Sequence, residues 1–337
     1  MTERQSEPVE LRVPDELAQE YLRKNSTLSL SPQTVKTYDS HLTQYATFLH
    51  AQDKSILTAE FIDLIEFIEE CVLRGNRETT ISGKVSTVSE LYRYIRLRTD
   101  VGDELLFDPL RISEIDLSRY NTPELIKRDA LTREEIRKLF SAFNSYRNRL
   151  IVVVGIETGL RNSDLREIKI DDVNTERCEL HVPTPKYSKP YDVPISDELE
   201  FEIGFWLRHH RPAYCAANES EYLFPSQSGH KLEHNSSLNK IVRDAADRAG
   251  VQRVIAQSKL TPSQQDVLGT EKQYREWHRV TPHTLRHSFI TLLNEAGVSL
   301  EYRQLLANHS TYRTTQGYTH SRDNIFESIR DQFDPPR

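Results

Sequence analysis

Residues 281–320, TPHTLRHSFITLLNEAGVSLEYRQLLANHSTYRTTQGYTH, set His283, Arg286, His287, His309, Tyr318 and His320 among apolar residues at helical spacing. An arginine grouped with imidazoles is the composition of an oxyanion site, most often one for phosphate. A tyrosine beside such a site can attack phosphorus as a nucleophile. His283 and His287 stand four apart, as in helical zinc sites, but the glutamate of an HExxH pattern is missing and no third ligand is evident, so no metal is expected. The spacing of Tyr302 is that of a packing residue, and Tyr312 falls in a polar turn.

Two further groups of cations lie upstream. Arg161 follows the Thr158-Gly159 turn and opens a helical segment with Leu165 and Ile168 on one face. A helix N-terminus with an arginine beside it can hold an anion, and an ordinary surface arginine near a turn is the competing reading. Lys186 and Lys189 occupy PTPKYSKP, between two alternating segments, 178–182 and 191–195, that read as a β-hairpin. Lysines at such a tip either keep an edge strand soluble or reach into a neighbouring site.

The elements that must position these residues fall into two groups. From about residue 14 to 112 the pattern is helical. Ser31-Pro32 caps a helix carrying Val35, Tyr38, Leu42, Tyr45 and Leu49. A second begins near Thr58 and stops at Gly75, and a third from about Thr79 carries Ile81, Val85, Val88, Leu91, Tyr92 and Ile95. This predicts a small bundle, with Lys36, Lys84, Arg93, Arg96 and Arg98 on its polar faces. Residues 1–13 read as a flexible tail and 113–130, interrupted by Pro123, as a linker. Thr132 and Glu135 form a capping box that opens a second domain over 131–337. There, 147–157 is an apolar helix, helices return over 197–209 and 236–249, and the polar stretch 252–279 reads as a long surface loop.

The chain has 337 residues and a formal charge of −7. Residues 1–110 hold 12 of the 44 basic and 19 of the 51 acidic residues, which leaves 32 of each for 111–337. The acidity is therefore N-terminal, and local basic patches further on remain open to a nucleic acid. Cys71, Cys178 and Cys215 form no CxxC pair and read as small core residues. No apolar run is long enough to span a bilayer and the N-terminus has no apolar signal region, so a soluble cytoplasmic protein is expected, without a membrane partner.

TGLRNSDL, the lysine-bearing hairpin ending in DVPIS, HTLRHSF and LLANHSTYRTTQGYTH occur in this order at suitable spacing. Together they resemble the tyrosine recombinase (phage integrase) family, of the Xer-like type, over about 130–325. The N-terminal helices resemble that family's SAM-like core-binding domain in pattern. The resemblance implies a mainly α fold with a small β-sheet, in which the helical core-binding domain precedes an α+β catalytic domain. It implies that Arg161 and Arg286 are the catalytic arginines, Asp164 the acidic residue that braces the site, and Lys186 the hairpin lysine, with Lys189 second choice. His283 matches the histidine of the HxxR pair, His309 the later histidine position, and Tyr318, nine residues on, the nucleophile. Lys36, Lys84, Arg93 and Lys189 are expected to contact DNA. The family's Leu-Gly-His is here Leu306-Ala307-Asn308-His309, where asparagine tolerates the left-handed backbone that glycine supplies.

Such a set would cut DNA without metal, ATP or other cofactor. Two arginines can hold the non-bridging oxygens as negative charge grows on them. Tyrosine has a pKa of about 10, so its proton must be removed, with His283 the candidate base, and Lys186 the acid for the leaving 5′-oxygen. The resulting 3′-phosphotyrosyl link conserves bond energy. The expected function is site-specific recombination of double-stranded DNA in the nucleoid, by copies that self-associate on it from dimer to tetramer. Type IB topoisomerase-like nicking and closing, and a non-catalytic DNA-binding regulator, are the alternatives. The amphipathic segment with Ile325, Phe326, Ile329 and Phe333 is expected to dock on a neighbouring protomer.

Overall fold

The computed structural model describes residues 10–183, 190–213, 219–260, 265, 269–306 and 336; Lys186, Lys189, Cys215, His309, Tyr318 and the segment 321–333 lie outside them. Backbone contacts divide the chain into two units, Met1–Leu125 and Ile126–Arg337.

The first unit is helical: α1 (Glu16–Leu28), α2 (Pro32–His50), α3 (Phe61–Leu73) and α4 (Glu78–Arg98). The starts of α1, α2 and α3 are chemically marked. The Asp15 and Ser31 side chains accept from the Ala18 and Thr34 amides, and Glu60 and Asp63 cap α3 reciprocally. Gly75, at φ 74°, follows the end of α3. The apolar stripe of α4 packs on α2, and the buried hydroxyls of Tyr45 and Tyr92 pair at 2.9 Å, the latter also donating to the Ile56 carbonyl. That satisfies two phenols in the core.

Two expectations fail in this unit. The tail expected over 1–13 is already packed by residue 13: Val13 is fully buried, and the amides of Arg12 and Val13 donate to the buried Asp39 carboxylate. Lys84 does not lie on a DNA-facing surface. It is 3% exposed, with Nζ 2.8 Å from Asn76 Oδ1 and 3.5 Å from Cys71 Sγ. Its place on α4, three residues after Ile81 and four before Val88, puts it on the inward stripe, and Asn76 supplies the polar partner that a buried ammonium requires. Lys36 and Arg93 are exposed.

The second unit is built on α5 (Arg133–Ser141), α6 (Tyr146–Thr158), α7 (Asn162–Glu167), α8 (Asp197–Phe205), α9 (Asn235–Arg248), α10 (Pro282–Glu295) and α11 (Leu300–Leu306). α6 is buried from Leu150 to Thr158 and packs on α10; Gly155 permits this approach, because a Cβ there would lie 3.2 Å from both Leu165 and Leu285. β1 (Val173–Asn174), β2 (Glu179–Val182) and β3 (Tyr191–Pro194) form an antiparallel sheet in that order, with Leu180 opposite Val193 and Val182 opposite Tyr191. Lys186 and Lys189 fall between the last of these pairs.

Within 252–279, where a loop was expected, the described residues include two strands. β4 (Val254–Lys259) and β5 (Tyr274–His278) pair antiparallel as a second sheet. Neither strand has a buried residue, so the ribbon lacks the alternation by which a half-buried strand is recognised. Its base is tied down by ion pairs: Arg253 to Asp129 at 3.1 Å, and Arg279 bidentate to Glu135 at 2.5 and 2.9 Å. Arg279 holds the Glu135 carboxyl down at about 2.

Candidate active site

Arg161 reaches the site through a turn that only glycine can make. α6 ends at Gly159, whose φ of 62° is left-handed and whose missing side chain leaves room for Phe289 of α10. A Cβ at Gly159 would lie 2.2 Å from the Phe289 ring. The chain then reverses, and Arg161 is the residue capping α7. Its side chain is 27% exposed, and Nη1 lies 3.9 Å from Asp164 Oδ2.

Asp164 is buried one turn into α7, and Ser163 Oγ donates to its Oδ1 at 3.0 Å. Burial raises the Asp164 pKa, against the opposing pull of the Ser163 bond and of the Arg161 and Arg286 charges. The helix that carries both residues is only one and a half turns long, and Arg166 fastens it. Its buried guanidinium donates to the Leu232 and Glu233 carbonyls, to Asn162 Oδ1 and to Asn235 Oδ1.

Arg286 arrives from α10, whose start is set by Pro282 and by a capping box between Thr281 and Thr284. It is 6% exposed and donates from Nη1 to the Gly159 carbonyl at 2.6 Å. Burial first, and then the charge of Arg161, push its pKa down to about 10. Tyr191 and Asp164 act in the opposite sense. Two guanidiniums from segments far apart in sequence are thus held as neighbours, and both charges act on the buried Asp164 carboxylate.

His283 lies one turn before Arg286. Its ring reaches solvent, but partial loss of hydration, followed by the charges of Arg286, Arg128 and His287, holds its pKa below the ordinary histidine value. His287 is exposed, with Nδ1 3.3 Å from Thr291 Oγ1, so it is not a core histidine. The fold therefore brings together Arg161, Asp164, His283 and Arg286, while Lys186, His309 and Tyr318 are outside the described residues.

Sequence reasoning passed over two neighbours of this group. Arg128 sits in the stretch read as linker, where no periodicity marked it. Tyr191 opens β3 with its hydroxyl buried and within electrostatic reach of Arg286; its alternation with Val193, buried on the same strand, was the available signal. Among the described residues no cluster of three or more His, Cys, Asp or Glu could hold a metal ion, and no helix is long and apolar enough to cross a membrane.

The phage integrase family model matches residues 129–324, and the model of the phage integrase N-terminal SAM-like domain matches residues 19–99. The chain belongs to the phage integrase family, the tyrosine-type site-specific recombinases. Among curated relatives, it is 24% identical over 314 residues to tyrosine recombinase XerD of Haemophilus influenzae, covering 91% of this chain and 93% of that one. It is 26% identical over 338 residues to XerD of Staphylococcus saprophyticus, at 95% and 99% coverage. Among solved structures, a lambda integrase (75–356) dimer bound to a COC′ core site has the same fold, with a TM-score of 0.62 at 15% identity over 88% of this chain and 94% of that one.

Proposed function

We propose that this chain recombines duplex DNA at a specific site by cutting and rejoining strands through a 3′-phosphotyrosyl link. Tyr318 is the nucleophile. Its oxygen forms the new bond to phosphorus, the bond to the 5′-oxygen breaks, and Lys186 gives that oxygen its proton. Arg161 and Arg286 hold the non-bridging oxygens, Asp164 orients Arg161, His283 takes the tyrosine proton, and His309 donates to the phosphate. Reversal by another 5′-hydroxyl rejoins the strand, so the energy of the broken bond is kept.

The observation that carries this reading is the convergence of Arg161 and Arg286 on the Gly159 turn. Arg286 is held there by burial first, and beside the charge of Arg161 second, at the expense of part of its basicity. Such an arrangement is unfavourable in an empty fold and is matched by a doubly bonded anion, such as a phosphodiester acquiring charge during attack. Lys36, Arg93 and Lys189 are assigned to phosphate contacts outside the cutting site, and the protein is assigned to DNA in the cytoplasm. Self-association on DNA, from dimer to tetramer, is part of the same reading, supported by the dimeric state named for lambda integrase at its core site.

A nicked suicide duplex tests the chemistry. On denaturing gels the wild-type chain gives a covalent protein–DNA adduct, and Tyr318→Phe gives none. An adduct that persists in Tyr318→Phe overturns the assignment of the nucleophile. Strand exchange between two sites, as opposed to relaxation of supercoils alone, distinguishes recombination from nicking and closing.

A further inference from the structure

The β4–β5 ribbon leads directly into the helix that carries His283 and Arg286, with only Arg279, Val280 and Thr281 between β5 and α10. Its register places Ser258 opposite Arg275 and Ala256 opposite Trp277, so Ser258, Arg275 and Trp277 share one face. Trp277 Nε1 donates to Ser258 Oγ at 3.1 Å, which fixes the indole on that face. The guanidiniums of Arg275 and Arg128 both lie over the indole ring, 5.0 and 5.8 Å from its centroid. Arg128 is held there by a bond from Nε to the His278 carbonyl at 3.1 Å.

The other arginines at the ribbon have structural work. Arg253 and Arg279 are committed to Asp129 and Glu135 at the base. Arg275 differs: it is exposed, and among the described residues no carboxylate lies within ion-pair distance of it. A guanidinium held over an indole face, as Arg275 is, loses little freedom when it binds an anion. Arg128 is also close enough to His283 for its charge to act on that imidazole, which puts the two arginines beside the proposed cutting site.

We propose that this face of the ribbon is a DNA-backbone contact, in which Arg275, over the Trp277 ring and beside Arg128, holds a phosphate flanking the one bound between Arg161 and Arg286. The inference rests on the recombinase reading above and deepens it. Contacts of this kind set the register of a duplex without reading its sequence. The occupant is a phosphate backbone because Arg275 and Arg128 bring two positive charges to this face, and among the described residues no carboxylate lies within ion-pair distance of Arg275.

The test is binding of the full-length chain to a mixed-sequence duplex across a series of salt concentrations. Arg275→Ala should weaken binding several-fold at physiological salt and make the slope of log K against log salt shallower by about 0.9, the value for one lost phosphate. Arg275→Lys should restore the slope but only part of the affinity, since the charge returns without the planar guanidinium. Affinity and slope that stay at wild-type values in both Arg275→Ala and Arg275→Glu overturn the proposal. So does a loss confined to cooperative binding of a second protomer, which would make the ribbon a contact between copies. The suicide-substrate adduct reads the cutting chemistry separately: a wild-type chain that binds with this salt response but never forms the adduct defeats the recombinase reading, not the ribbon contact.

Discussion

Arg286 donates to the carbonyl of Gly159, two residues before Arg161, across a separation of 127 positions in the chain. The bond makes one arginine of the site the support for the turn that delivers the other. Because Arg286 is buried and already bonded, it has little side-chain freedom left to lose on binding an anion.

Gly159→Ala should therefore damage both the fold and the site. The left-handed φ alone disfavours a Cβ by about 1–2 kcal/mol, and the 2.2 Å approach to Phe289 adds an overpacking penalty of about 1–3 kcal/mol. Urea denaturation should show a loss of roughly 2–5 kcal/mol in the catalytic unit. Retention of wild-type stability would mean that the turn does not depend on glycine.

Asp164→Asn should separate stability from activity. The folded Asp164 pKa lies above its unfolded value, so the folded chain binds this proton more tightly. Ionised Asp164 then costs stability at every pH above the folded pKa, and the cost fades as pH falls through that value to the unfolded one. The amide removes the cost, so thermal stability at neutral pH should hold or rise. Adduct formation should slow, because the partner of Arg161 is lost. A variant both less stable and fully active would contradict this reading on each count.

For His283 the pH dependence of cleavage is the readout. With its pKa held below the ordinary histidine value, the ring stays neutral, and able to accept a proton, into more acidic solution. Single-turnover adduct formation should rise with pH to a midpoint below about 6.5. Arg128→Ala removes one of the positive charges that lower the pKa, so the midpoint should move up. A midpoint insensitive to Arg128 would remove His283 as the titrating group.

In the first unit, Lys84→Met should leave DNA affinity and its salt slope unchanged, since the ammonium of Lys84 is enclosed by Asn76 and Cys71. Arg93→Ala, at an exposed position of the same helix, should lower affinity and flatten the slope by about 0.9. Equal effects of the two substitutions in a binding titration would reverse that distinction.

The residues show why some of this was legible in the sequence and some was not. Gly159, the Thr132–Glu135 box and the stripe of α4 are local signals, and each marks its element in the structure. Lys84 was on that stripe by spacing; its residue type concealed its burial. The ribbon carries polar side chains on both faces, such as Gln257 opposite Glu276 and Ser258 opposite Arg275, so no periodicity announced it. Val13 and Asp39 meet only through tertiary contact, and a short polar N-terminus gives no sign of its distant partner.

The Arg286–Gly159 bond also sets a schedule. While the chain is being synthesised, Gly159 emerges 127 residues ahead of the arginine that completes its turn. At about 5–20 residues per second, that interval lasts roughly 6 to 25 s. Throughout it, a nascent or prematurely ended chain can display the helices of its first unit, but it lacks the paired arginines. A translation product that ended within this interval would carry the Gly159 turn without the arginine that supports it.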